Sequence, residues 1–213
     1  NRMGEKREVP PQLKAVLDWD IQITNGFVKF IDQNYGPLSK WKLHFKSLEM
    51  SCHGIPWILF MAIITFLISG LRWLSVNLFF ALIFDIVVVA IVKAITRRRR
   101  PTNNKEMPYG TFGPDKFSFP SGHCTRATMV AIILIVQCSM GIPLTILLLS
   151  WSLSVSVSRV LLQRHHILDV SAGFVIGAVQ ALIVNAFWLS EDSAQAVAYF
   201  FLDETQAGAS YDV

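Results

Sequence analysis

Uncharged or nearly uncharged stretches long enough to cross about 30 Å of hydrocarbon, which takes roughly 20 helical residues, recur along the chain. The first runs from Ile55 to Leu71, and the second from Val76 to Ile95 with Asp85 and Lys93 inside it. A single uncharged run from Ala127 to Ser158 would be about 48 Å long as one straight helix at 1.5 Å per residue. That exceeds one bilayer, and Gly141 with Pro143 places a turn in its middle. The run therefore predicts two spans, His123 to Met140 and Pro143 to Val160, and a fifth covers Ile167 to Leu189.

Upstream, Leu13, Val16, Leu17, Ile21, Thr24, Val28 and Ile31 recur at helical spacing while Asp18, Gln22, Asn25, Lys29 and Asp32 take the opposite face. This predicts an amphipathic helix lying in the interface or packed on the bundle; a sixth span is the alternative. Trp41 and Phe45 among Lys40, Lys42 and Lys46 have the composition of a membrane-surface segment. The expected architecture is all-α, a polytopic transmembrane bundle of five to six spans with an N-terminal amphipathic helix. Residues 1–12 are expected as a disordered N-terminal segment, 13–54 as an amphipathic interfacial region, 55–190 as the membrane domain and 191–213 as a loose tail. Gly173 and Gly177 form a small-xxx-small pair suited to close helix packing within the chain.

Composition agrees with a membrane protein. Of 213 residues, 53% are hydrophobic and only 16% charged, against about 25% charged in a soluble domain. Disordered, collagen-like and disulfide-scaffold chains are excluded, because Gly and Pro are ordinary and Cys52, Cys124 and Cys138 are the only cysteines. Those three read as reduced packing thiols. The chain begins at Asn1, so a preceding segment is expected. Threading five spans puts residues 1–54, the 96–122 loop and the 159–166 connection on one side. Of the 19 Lys and Arg residues, only Arg72 then falls on the other side, and the positive-inside rule makes the basic side cytoplasmic.

Three polar clusters sit at span ends on that same side: Lys93 to Pro101, Phe119 to His123, and Ser158 to Asp169. In the first, Lys93, Arg97 and Arg100 stack on one face if the helix continues to Pro101, and guanidinium forks suit phosphate oxygens. Alone, the run equally fits a topogenic or lipid-anchoring role. In the second, Pro120, Ser121 and Gly122 lead into a helix starting near His123, whose free backbone N–H groups could cradle an anion; alone, it is an ordinary helix entry. In the third, His165 or His166 lies one turn from Asp169, close enough for a carboxylate to fix an imidazole tautomer. Spacing does not choose between the two histidines. His123, His165 and Asp169 could also ligate zinc, but the surrounding cations would repel a divalent metal and suit a phosphate dianion. No metal, no other cofactor and no nucleic-acid partner is expected. Asp85, a carboxylate inside a span, is expected in structural hydrogen bonding.

Taken together, the clusters resemble the signature of the type 2 phosphatidic acid phosphatase, or lipid phosphate phosphatase, superfamily. That signature is a Lys, six residues, Arg-Pro; Pro-Ser-Gly-His; then Ser-Arg, five residues, His, three residues, Asp. Every position is met in order by Lys93, Arg100, Pro101, Pro120, Ser121, Gly122, His123, Ser158, Arg159, His165 and Asp169. His53 to Trp57 (HGIPW), the RRRRP ending and DKFSFPSGH are similar to the animal polyisoprenoid diphosphate phosphatases, whose substrates include presqualene and farnesyl diphosphates.

The resemblance implies an integral-membrane phosphoric ester hydrolase, of endoplasmic reticulum or nuclear envelope; the cytoplasmic side of its site is the expectation of the positive-inside threading. It implies His165 as nucleophile, Asp169 orienting it, and His123 as acid and base. Lys93, Arg100, Ser121, Gly122 and Arg159 would bind the phosphate of a lipid phosphate or diphosphate. The alternatives are a broad phosphatidate-type phosphatase, a phosphotransferase, and a catalytically silent lipid-binding scaffold.

Overall fold

The computed structural model describes residues 10–101 and 116–207; most of the expected N-terminal segment and the middle of the 96–122 loop lie outside these residues. The described residues form helices and no sheet. In order they are α1 (Pro11–Asn34), α2 (Lys42–Ser51), α3 (Gly54–Leu67), α4 (Arg72–Thr96), α5 (Gly122–Gln137), α6 (Ile142–Leu161), α7 (Ile167–Ala186) and α8 (Glu191–Ala207), with short 3-10 turns before α2 and α4.

Local chemistry accounts for several boundaries. Proline occupies the first turn of α1 and of α6, where its missing N–H costs nothing. Gly141 caps α6 in extended conformation, giving the turn expected between the third and fourth spans. α4 stops at Thr96 because Arg97 adopts left-handed backbone, φ 49°, four residues before Pro101. The stacking of Lys93, Arg97 and Arg100 on one continuous helix does not occur.

Three stretches are long and apolar enough to cross a membrane: Ser69–Thr96, α6 and α7. A fourth arises if α2 and α3 form one span broken by a 45° bend. The single span expected over Ile55 to Leu71 is interrupted, since α3 ends at Leu67 and a 3-10 turn follows. Hydropathy sees one apolar run there; the backbone breaks it at Ile68, which has extended φ and ψ. α5 is apolar but shorter, with 16 residues. The expected loose tail is helical at Glu191–Ala207, and Ala194 and Ala198 pack on Val76 of α4.

α5 is the central helix. Cys124 through Ala131 and Ile133 are all buried, and the main core joins Met129, Val130 and Ile133 to Leu78, Leu82, Met61 and Ala181. α7 lies closest against α5 where Gly173 and Gly177 face it. A Cβ on Gly173 would fall 2.9 Å from Cys124 Cβ, and one on Gly177 would overlap the Thr125 carbonyl. The glycine pair thus packs within the chain. Outward-facing Phe60, Leu147, Leu182 and Phe187 are exposed, as side chains facing hydrocarbon should be. The three cysteines are free thiols.

α1 docks by only part of the strip its apolar spacing suggests, with Asp20 added. Asp20, Thr24 and Val28 are buried, whereas Leu13, Val16 and Ile21 are exposed. The reason lies in the polar partners that Asp20 and Thr24 find at the start of α7.

Candidate active site

The three clusters meet at one end of α4, α5, α6 and α7. After Arg97 turns the chain, Arg98 points inward and its backbone pairs with the segment before α5. Ser118 N–H donates to the Arg98 carbonyl at 2.8 Å, its hydroxyl donates to the Arg99 carbonyl at 3.0 Å, and Arg99 bridges Phe117. Lys93 is buried in the last turn of α4, Arg100 is half-buried, and Arg97 is exposed with its Nε donating to the Ala94 carbonyl.

At the start of α5, Ser121 is the N-cap residue, yet its hydroxyl caps nothing and is buried without a partner in the protein. Its N–H donates to the Asp169 carbonyl at 3.1 Å, tying α5 to α7. Gly122 follows, where a Cβ would stand 3.2 Å from Val89 Cγ1. His123 Nε2 is also buried without a partner. The Cys52 thiol donates to the His123 carbonyl at 3.3 Å, and the His53 ring lies 6.2 Å from the His123 ring, edge-on.

The third cluster is a tight turn. Arg159, buried in the last turn of α6, presents its carbonyl to the N–H groups of Arg164 and His165, and Gln163 takes left-handed backbone. Its guanidinium lies 3.2 Å from Glu49 Oε1 of α2, and its Nε has no protein partner.

His165 is buried, with Nδ1 2.7 Å from the Ser118 carbonyl. A carbonyl only accepts, so Nδ1 carries the proton and the lone pair is on Nε2. Burial holds the imidazole well below its usual pKa of 6.5, and the positive charges of Arg159, Arg100 and Lys93 push the same way against the Ser118 hydrogen bond. The ring is therefore neutral at physiological pH. Asp169 Oδ2 is 3.9 Å from His165 Nδ1. The same oxygen accepts from the His166 N–H at 2.8 Å, while Oδ1 accepts from Arg98 at 2.7 Å. His166 is the N-cap of α7 in a reciprocal capping box with Asp169, which separates the two histidines that spacing leaves equivalent.

Lys93, Arg100 and Arg159 thus share their electrostatic surroundings with His165, and Arg159 and His165 with His123. Arg97 stands apart. Asp85 belongs to the bundle interior, 2.9 Å from Arg126 and accepting from the Thr125 hydroxyl at 2.7 Å. Residues that the spacing did not reveal also reach the site: Arg98, the Ser118 carbonyl, Glu49, and Asp20 and Thr24 of α1. The arginine run contains Arg98 but does not signal its inward direction, which the left-handed backbone at Arg97 sets; the others are signalled only by tertiary contact. Among the described residues no group of three or more His, Cys, Asp or Glu side chains could hold a metal ion.

The arrangement offers a neutral nucleophilic nitrogen, a second imidazole and several cations around unpartnered donors, a set suited to a phosphoryl group. Comparison with known proteins gives the same direction. The probable lipid phosphate phosphatase beta of Arabidopsis thaliana is 33% identical over 150 residues, covering 58% of this chain and 70% of that protein. The decaprenylphosphoryl-5-phosphoribose phosphatase of Mycobacterium tuberculosis is 30% identical over 99 residues, 46% of this chain and 52% of that one. The fold is shared with two crystal structures. One is the first transmembrane PAP2 type phosphatidylglycerolphosphate phosphatase from Bacillus subtilis, with TM-score 0.59 and 23% identity over 81% of this chain and 86% of that one. The other is LpxE of Aquifex aeolicus, with TM-score 0.58 and 18% identity over 76% and 93%. The profile of the PAP2 superfamily matches residues 74–191, more than half the chain and all three clusters. The chain belongs to the PAP2 superfamily and is an integral-membrane phosphatase.

Proposed function

We propose that this phosphatase hydrolyses polyisoprenoid diphosphates or monophosphates, of the presqualene or farnesyl type, through a phosphohistidine at His165 and without a metal. The observation that carries the reading is the tautomer: the Ser118 carbonyl holds the proton on Nδ1 and leaves the Nε2 lone pair to react. In the first step His123 carries a proton taken up as the phosphate dianion enters beside it; Nε2 of His165 attacks phosphorus, the N–P bond forms, the P–O bond to the lipid breaks, and His123 gives that proton to the departing oxygen. In the second, water gives a proton to His123 as its oxygen bonds to phosphorus, and the N–P bond breaks to release phosphate. Asp169 offsets the positive charge that the ring carries between the steps. Lys93, Arg100 and Arg159, with Ser121, Gly122 and the first N–H groups of α5, neutralise the phosphoryl oxygens. The buried, unpartnered Ser121 Oγ, His123 Nε2 and Arg159 Nε support this assignment.

The isoprenoid class is supported by the short segments similar to the animal enzymes and by the mycobacterial relative, named for a decaprenyl substrate. The plant relative, named as a lipid phosphate phosphatase, favours a broad phospholipid substrate as the second reading. In this proposal α3 to α7 make five spans, α1 rides in the interface on Val16, Trp19, Ile23 and Phe30, which are exposed, and the site opens to the cytoplasm from the endoplasmic reticulum. The basic residues gathered at its end of the bundle support that orientation.

The test is phosphate release by purified protein from presqualene, farnesyl and phosphatidate substrates side by side, with trapping of an acid-labile phosphoprotein. His165→Ala is expected to abolish turnover and labelling. An active, unlabelled wild type would overturn the phosphohistidine route, and preference for phosphatidate would replace the isoprenoid class.

A further inference from the structure

Helix α1 is separated from the catalytic turn by more than a hundred residues, yet its buried strip ends on that turn. Asp20 Oδ1 accepts from the Leu168 N–H at 3.0 Å, and Thr24 Oγ1 accepts from the Ile167 N–H at 3.1 Å. Both N–H groups belong to the first turn of α7, whose donors have no partner within the helix. Val28, one turn further along, packs with Val160, Val170 and Cys124 around the same turn.

The second oxygen of Asp20 does something a helix cap does not require. Oδ2 lies 2.6 Å from Arg98 Nη2, while Nη1 of the same guanidinium lies 2.7 Å from Asp169 Oδ1. One arginine is thus held between two carboxylates, all three side chains nearly or fully buried. α7 also already has its own cap in His166 and Asp169.

Charge counting gives the arrangement its meaning. Arg98 with Asp169 alone would be a neutral pair, and a neutral pair offers little to a ring that must become positive on phosphorylation. Lys93, Arg100 and Arg159 all act on His165 with the unfavourable sign. With Asp20 included, two carboxylates face one guanidinium, and a net negative charge remains beside the nucleophile.

We propose that Asp20 is a positioning residue for the reaction: through Arg98 it holds Asp169 beside His165 and restores the negative charge that Arg98 would otherwise cancel. This rests on His165 as nucleophile. α1 is therefore part of the catalytic apparatus and not only a membrane-facing helix.

Asp20→Asn tests it, because the amide oxygen can still accept from Leu168 while the charge facing Arg98 is lost. In the full-length protein in detergent, with its thermal midpoint as a check on folding, D20N is expected to lower kcat about tenfold or more and leave KM within about twofold. In an Arg98→Gln background the same change is expected to cost no more than about twofold, since the link is already cut. Wild-type kcat in D20N, a loss seen only in KM, or the same proportional loss with and without Arg98 would overturn the proposal. If D20N does not remain folded, Arg98→Lys answers from the other end, because an ammonium keeps the charge but cannot bridge both carboxylates: kcat reduced about tenfold or more at unchanged KM supports it, and wild-type kcat overturns it. His165→Ala in parallel reports on the nucleophile alone, so an active H165A rejects the phosphohistidine, whereas an inactive H165A beside a fully active D20N rejects only the role of Asp20.

Discussion

His165 donates its Nδ1 proton to the backbone carbonyl of Ser118 at 2.7 Å, while Asp169 stands 3.9 Å from the same nitrogen. The tautomer that frees Nε2 is held by the main chain of the segment before α5, and Asp169 contributes charge more than proton placement. Where a carboxylate alone holds a catalytic histidine, its amide variant loses about 10⁴-fold in kcat through the wrong tautomer. Asp169→Asn is expected to lose less here, about 10²-fold, in steady-state phosphate release. Ser118→Ala keeps the carbonyl and is expected to stay within about tenfold of wild type.

His166 separates from His165 by position, and the proposed mechanism gives it no chemical role. It caps α7, so His166→Ala is expected to cost about 1 kcal/mol of stability, read as a lower thermal midpoint. Its kcat should remain within about tenfold of wild type, and its phosphoprotein label should persist.

Burial first, then Arg159, Arg100 and Lys93, hold His165 well below pH 6.5. In the proposed mechanism the neutral form is the nucleophile, so activity governed by this group is lost only as pH falls through that depressed value. The acid limb of kcat/KM, which reports the free enzyme, is therefore expected below pH 6.5. Lys93→Met removes a like charge, raises the His165 pKa and moves the limb to higher pH, whatever it does to the plateau. An acid limb at or above the ordinary histidine value in the wild type would contradict the assignment.

Asp85 and Arg126 form a buried pair inside the bundle, 2.9 Å apart, and Arg126 also donates to the Cys52 carbonyl at 3.1 Å. Removing one partner strands the other charge at a cost of about 3–5 kcal/mol, whereas replacing both with apolar groups is often neutral. Asp85→Leu and Arg126→Met are each expected to melt well below wild type in detergent, and the double variant to recover most of the loss. Additive losses would mean that the pair is not the source of the effect.

These contacts show where linear pattern suffices and where it stops. The convergence of Lys93, Arg100, His123, Arg159, His165 and Asp169 was legible because each marks the end of an apolar stretch, and stretch ends alternate between sides. Arg98 was hidden by register: extending α4 to Pro101 puts it on the wrong face, and only the left-handed backbone at Arg97 turns it inward. Asp20 was hidden because an acid on an amphipathic helix reads as solvated, and its partner at Leu168 is 148 positions away. The break after Leu67 leaves no mark in the sequence pattern, because hydropathy measures composition and not backbone direction.

Glu49 adds a different consequence. Its carboxylate lies 3.2 Å from Arg159 and 3.9 Å from Arg164, so an internal anion stands against one of the proposed phosphate ligands. An incoming phosphoryl group competes with that carboxylate for the guanidinium, and a departing phosphate finds a replacement waiting. Such an enzyme discards its inorganic product readily, and Glu49→Gln is expected to be inhibited by orthophosphate at lower concentration than the wild type.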